Sequence, residues 1–267
     1  MLQAISTEEI LASAPAVLET SHKPTLSSKY THIPTSILIE DMANLGWVAV
    51  KAQQQKSRDE NKRLHKKHLV TFRNPNIKVE SKDGDDIYPQ ILIMNSHDGS
   101  SSFQFRVGIF RLVCSNGLVI CTEDFGKTNL RHSGYSFEQL KSIVIDLTNN
   151  IPNTIQMLNV LNKVELDEEQ QRTFVEKAME IRFGKNFKNI GFDSAELLKS
   201  VRKEDEGNSV WKVLNKVQES LIHGTYTYSK KDSDKPKKNK KARSIRNFKR
   251  DLEINEKLFQ LAYEYAN

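Results

Sequence analysis

The spacing of apolar residues changes period near Gly134, and that change limits the architectures open to the chain. Ahead of it, apolar residues stand in blocks of strand length: Trp47–Val50, His68–Phe72, Ile87–Met94, Phe103–Cys114 and Leu118–Thr122. Beyond it they recur every three or four residues, as on one face of a helix. Strands followed by helices predict an α+β fold: a largely antiparallel sheet with a central hairpin, then a helical C-terminal half.

The hairpin is placed by Ser115-Asn116-Gly117-Leu118, because Asn-Gly suits a two-residue type I′ turn with positive φ at both residues. That turn pairs Ser115 with Leu118, Cys114 with Val119 and Leu112 with Cys121. Phe110, Leu112, Cys114, Val119 and Cys121 then share one face, while Ile109, Val113, Leu118 and Ile120 share the other. Both faces are apolar, which predicts a buried centre of the sheet. Cys114 and Cys121 fall diagonally at roughly 7–8 Å, too far for easy bridging. Two cysteines cannot staple a chain of 267 residues, and a reducing cytoplasm is the compartment they suit.

Helix signals surround the strands. Ile37, Leu38, Met42 and Leu45 form a stripe that stops at Gly46. Ser136 with Gln139, and Asp167 with Gln170, are capping-box pairs, and Pro152 marks a break between helices. Gly184 and Gly224 stand where helices should stop. The expected organisation is a poorly ordered segment over 1–29, with at most a short helix near Thr7, and an α+β body over 30–227. A basic linker over 228–244 and a C-terminal helix over 245–267 complete it. That helix carries Phe248, Leu252, Phe259 and Tyr263 in register. It should dock on its own body or on a second copy of the chain, which would make a homo-oligomer.

Charge is unevenly placed. Lys and Arg number 40 against 34 Asp and Glu, giving +6. Eleven cations fall between Lys230 and Arg250: Lys230, Lys231, Lys235, Lys237, Lys238, Lys240, Lys241, Arg243, Arg246, Lys249 and Arg250. With Asp232 and Asp234 the window carries +9, leaving −3 for the rest. Such a segment attracts polyanions by releasing their condensed counterions, or it serves only as a solvated tether. Tyr226 and Tyr228 beside it could stack on unpaired bases. Arg106 and Arg111 lie on a predicted strand. Arg111, on an apolar face, is either half of a core ion pair or a groove-lining phosphate contact. No run approaches the roughly 20 apolar residues of a membrane span, and the first residues lack the basic start of a secretory signal. The expectation is a cytoplasmic protein without a membrane partner.

Catalytic signals are thin. Ser96-His97-Asp98-Gly99-Ser100-Ser101 holds every residue type of a hydrolase triad, yet within six consecutive positions that suit a turn or a phosphate loop. His65 and His68 sit among lysines, and His132 stands far along the chain from His97 and Asp98, so only the fold could bring the three together. No zinc, calcium, Walker or dinucleotide pattern occurs. The reading assigns no catalytic residue, no metal ligand and no cofactor.

Several blocks stand in a recognisable order. They are Tyr30-Thr31-His32-Ile33-Pro34-Thr35, Gly46-Trp47, Lys67 to Arg73, Asn95 to Ser101 and Phe110 to Val119, then Leu214 to Glu219 and Ile254 to Phe259. Together they resemble the "domain of unknown function 932" family of phage- and plasmid-like proteins. The resemblance implies passengers of mobile genetic elements, often near recombination or replication genes, and it carries no catalytic residue. The leading expectation is therefore a mobile-element accessory protein that binds nucleic acid, preferably single-stranded DNA, in recombination or replication. The alternative is a protein-binding inhibitor or modulator of a host defence or replication factor. A metal-dependent nuclease or hydrolase is the third reading.

Overall fold

The computed structural model describes residues 3–21, 32–78, 86–111, 117–119, 127–130, 136–230 and 239–266. The chain divides into two compact units, Met1–Asn153 and Thr154–Asn267. The body expected over 30–227 extends into both, and the boundary at Thr154 has a cause. The reason is physical: the helices after Thr154 bury their apolar stripes on one another and so build a core of their own.

Unit 1 begins with α1 (Thr7–Ser13), opened by a capping box between Ser6 and Glu9, and a 3-10 turn over Pro15–Leu18. A helix of seven residues does not persist alone. Here Ile10, Ala14, Ala16 and Val17 are buried, the Ile5 N–H donates to the Ala49 carbonyl at 2.9 Å, and Ala16 N–H donates to Gln54 Oε1 at 2.8 Å. These contacts hold residues 3–21, which fall within the segment expected over 1–29. Next come α2 (Thr35–Asn44), β1 (Val48–Gln54), α3 (Glu60–Arg63), β2 (His68–Arg73), β3 (Ile87–Asn95), β4 (Phe103–Arg111), β5 (Gly117–Val119) and β6 (Lys127–Leu130). Helix α4 (Phe137–Asn149) follows, and α5 (Ile151–Lys163) runs across the boundary at Asn153, with most of its length in unit 2. The sheet is antiparallel in the order β1-β2-β3-β4-β5, with β6 pairing the first half of β4. Val70, Phe72, Ile91, Ile93, Phe103, Phe105, Val107 and Ile109 form its apolar face, and Leu38, Met42 and Trp47 lie in the same core.

The hairpin register differs from the expectation. Phe110 pairs with Gly117, Ile109 with Leu118 and Gly108 with Val119, so Gly117 lies in a strand and five residues, 112–116, connect the strands. Eight residue pairs join β3 to β4 from Ile87–Arg111 to Met94–Gln104. That ladder outweighs the local Asn-Gly preference, which is a weak term beside tertiary pairing. The φ of Asn116 and the positions of Cys114, Cys121 and His132 lie outside the described residues.

Unit 2 contains α6 (Glu168–Phe183), a 3-10 segment Gly184–Asn189, β7 (Ile190–Phe192), α7 (Ser194–Leu198), α8 (Val210–His223), β8 (Thr227–Lys230), β9 (Asn239–Lys241) and α9 (Phe248–Glu264). Its small sheet runs β7-β8-β9, all antiparallel. Within the basic stretch over 228–244, the described residues of β8 and β9 form paired strands. Gly224 closes α8 at φ +70°, and a Cβ there would lie 2.7 Å from the Ala242 carbonyl oxygen. The terminal helix starts at Phe248, where the Asn247 side chain accepts from the N–H groups of Lys249 and Arg250. Phe248, Leu252, Leu258 and Phe259 are buried, each contributing about 2 kcal/mol. Gln218 Nε2 of α8 donates to Asn255 Oδ1 of α9 at 2.9 Å. The helix docks on its own unit.

Candidate functional site

The small sheet of unit 2 brings aromatic and basic side chains into one row. Phe192 pairs with Tyr228 and Tyr228 with Lys240, and residues paired across an antiparallel ladder share a face. Lys230, two residues beyond Tyr228, points the same way. Lys230 and Lys240 are exposed while Phe192 and Tyr228 are half-buried. The row is backed by a second pair of rings. Phe183 lies 5.0 Å from Tyr228, and Phe187 lies 6.1 Å from Phe192, both within aromatic contact distance.

Phe187 also lines an open groove of about 880 Å³ between α6, the 3-10 segment and α9. Five cations border it, Lys177, Lys185, Lys188, Arg250 and Lys257, against two carboxylates, Glu180 and Glu264. Two of the cations are engaged. Arg250 donates from Nη2 to the carbonyls of Ile181 (2.8 Å) and Arg182 (3.0 Å) at the end of α6. Lys177 lies 5.4 Å above the Tyr265 ring. Lys185, Lys188 and Lys257 have no carboxylate within ion-pair distance among the described residues, nor do Lys240, Lys241, Arg243 and Arg246.

Arg250 also bears on the cations at the start of α9, a position the macrodipole disfavours. The carbonyls of α6 answer that charge, together with Glu253 at 3.5 Å. Lys249 faces Glu253 at 3.9 Å. An anion is not needed to explain either residue.

The other residues singled out in the sequence are placed differently. Tyr226 is fully buried, its ring 6.5 Å from Tyr228, and burial pushes its hydroxyl pKa up despite Arg182 nearby. It is a core side chain and offers no face to a base. Arg106 and Arg111 are 8% and 2% exposed in unit 1, so neither guanidinium lies on an open groove. Lys231, Lys235, Lys237 and Lys238 lie outside the described residues. Phe183, Phe187, Phe192, Lys185 and Lys188 were missed, although Lys185-Asn186-Phe187-Lys188 does interleave cations with an aromatic.

In unit 1, Ser96 to Ser101 is a structural turn. Asp98 Oδ1 accepts from the Ser100 N–H at 3.1 Å, Gly99 sits at φ +71°, and Ser96 Oγ accepts from the Ser101 N–H at 3.0 Å. Asp98 turns to Lys66 at 3.4 Å. His97 faces away from this turn into a group of buried rings, 4.5 Å from His32 and 4.9 Å from His68. Its Nε2–H donates to the Ala16 carbonyl at 2.9 Å, leaving Nδ1 as the lone-pair nitrogen. His68 is held at both nitrogens. Nδ1–H donates to the Lys66 carbonyl at 2.9 Å, and Nε2 accepts from Thr35 Oγ1 at 2.7 Å. Thr35 Oγ1 in turn accepts from Asn95 Nδ2 at 2.9 Å. Burial lowers the His68 pKa to about 4 and that of His97 to about 2. These are neutral core imidazoles. Among the described residues no group of three His, Cys, Asp or Glu could hold a metal ion.

The sheet-and-helix architecture and the blocks running through it define a class, the α+β proteins matched over residues 24–247 by the family described as Domain of unknown function (DUF932). The chain belongs to that family. It is 28% identical over 258 residues to the UPF0380 protein YafZ of Escherichia coli (strain K12), covering 97% of this chain and 90% of that one. The UPF0380 protein YfjQ of the same organism matches with the same identity and coverage. No solved structure matches the chain. No helix among the described residues is long and apolar enough to cross a membrane.

Proposed function

We propose that the protein binds single-stranded nucleic acid, DNA in the first instance, through unit 2, as an accessory in the recombination or replication of a mobile element. The observation that carries this reading is the row Phe192–Tyr228–Lys240 on the β7-β8-β9 sheet. Aromatic rings take bases by stacking without regard to sequence, and lysines beside them meet the phosphates. A duplex hides its base faces and would use the cations alone. The cations around the row are exposed and have no carboxylate partner among the described residues, which supports a polyanion as the ligand. The family context of phage- and plasmid-like proteins is compatible with this role.

The test is anisotropy of a labelled oligothymidylate and of a duplex of equal length, measured against salt. Single strands should bind more tightly, with an affinity that falls as salt rises. Tyr228→Ala should cost about 1–3 kcal/mol of single-strand binding, the usual worth of one stacked base. Equal affinity for duplex, or no effect of Tyr228→Ala, would remove the reading.

A further inference from the structure

We infer that the groove between α6, the 3-10 segment and α9 is the phosphate track of the same single strand, entered from the aromatic row of the small sheet. This rests on the reading above and names how the strand continues. Phe187 joins the two surfaces, since it lines the groove and lies 6.1 Å from Phe192 of the row. On either side of it, Lys185 and Lys188 are exposed. Lys257 stands on the α9 wall of the same groove.

The charge arrangement selects the occupant. The end of α6 would repel an anion through its terminal carbonyls, but Arg250 occupies two of them. Lys177 is turned onto Tyr265. Lys185, Lys188 and Lys257 remain, against Glu180 and Glu264. Gly184, at φ +56°, has nothing within 4 Å of where a Cβ would stand, so the mouth beside these lysines is open. An apolar peptide would strand those three lysines, and an acidic peptide would meet the row only where it carried aromatic side chains at the right spacing. A single strand alternates planar bases with phosphates, which matches rings on one side and separated cations on the other.

Two linked contact surfaces make affinity depend on length, because the second contact becomes intramolecular once the first is made. The full-length chain is titrated with labelled oligothymidylates of about four and about sixteen nucleotides, the range one such site covers. The longer probe should bind at least about tenfold more tightly, and in K185A/K188A that gain should shrink to about twofold. The slope of log affinity against log salt for the longer probe should fall by about 1.4, at roughly 0.7 per lost single-strand phosphate contact. Charge reversal in K185E/K188E should weaken the longer probe further. Circular dichroism and melting temperature verify that both variants are folded.

A length gain and salt slope that survive both double variants overturn the groove assignment. If Tyr228→Ala still weakens the short probe in that case, the binding reading itself stands. Loss of the length gain together with indifference to Tyr228→Ala would instead keep a polyanion groove and refute its entry from the row.

Discussion

His68 makes unit 1 acid-sensitive by an amount that can be worked out. In the folded chain its two nitrogens are fully used as a neutral ring, one donating to the Lys66 carbonyl and one accepting from Thr35. Protonation would place a charge in a fully buried site and a second donor where Thr35 now donates. Burial therefore brings the pKa from 6.5 to about 4. Because the folded value is depressed, stability is fully present above pH 6.5 and is lost as pH falls towards 4, where the unfolded chain binds the proton and the folded chain does not. The interval of 2.5 units, at 1.36 kcal/mol per unit, gives about 3 kcal/mol. That is a large part of the roughly 5–15 kcal/mol that holds a domain folded. In a Trp211→Phe background the one remaining tryptophan is Trp47, 1% exposed in unit 1, and its fluorescence reports urea unfolding. Stability measured between pH 7 and 4 should fall about 3 kcal/mol further in the parent than in His68→Gln. His97, lowered to about 2 by burial and by His68 and His32, is present in both and extends the decline below pH 4. Parallel stability curves for the two proteins would refute the argument.

Three further outcomes are expected. Thr35→Val should destabilise unit 1 by about 1–3 kcal/mol, because it takes a partner from both Asn95 and His68 in a buried site; thermal melting followed at Trp47 measures it, and Thr35→Ser should restore most of the loss. Gly224→Ala forces a left-handed φ on alanine and drives its Cβ against the Ala242 backbone, so unit 2 should lose about 2–4 kcal/mol by urea midpoint at Trp211. A loss below about 0.5 kcal/mol would show that the backbone yields there. Asn247→Ala removes the cap of α9 and should cost about 0.5–2 kcal/mol, read as a lowered melting temperature of unit 2.

Strong local chemistry made much of this architecture readable in advance. Ser136 does cap α4 and Asp167 does open α6 with its capping box, while Gly184 and Gly224 do end helices. The strands at 68–73 and 87–95 lie where apolar blocks stand, because both are buried on the sheet. The hairpin register was not readable, since a long ladder with β3 overrides a dipeptide preference. Nor was the binding row. β7 has three residues, Ile-Gly-Phe, too few to show alternation, and β8 and β9 lie inside a stretch whose charge reads as solvated chain. Tyr226 and Tyr228 look alike in sequence, yet the first is sealed in the core and the second is half-open. The histidine group joins positions 32, 68 and 97, separations that only tertiary structure brings together.

The N-terminal strap and the terminal helix set where this protein can be cut. The family match spans residues 24–247. A chain trimmed to those limits would lack Ile5, whose N–H occupies a carbonyl of edge strand β1, and Ala16, which accepts from His97. It would also stop one residue short of α9 and open the faces of α6 and α8 that α9 covers. An unguarded edge strand pairs with its neighbours and a stripped helix face is sticky, so such a fragment should precipitate or form soluble aggregates. Expression boundaries drawn to include residues 3–266 keep both guards in place.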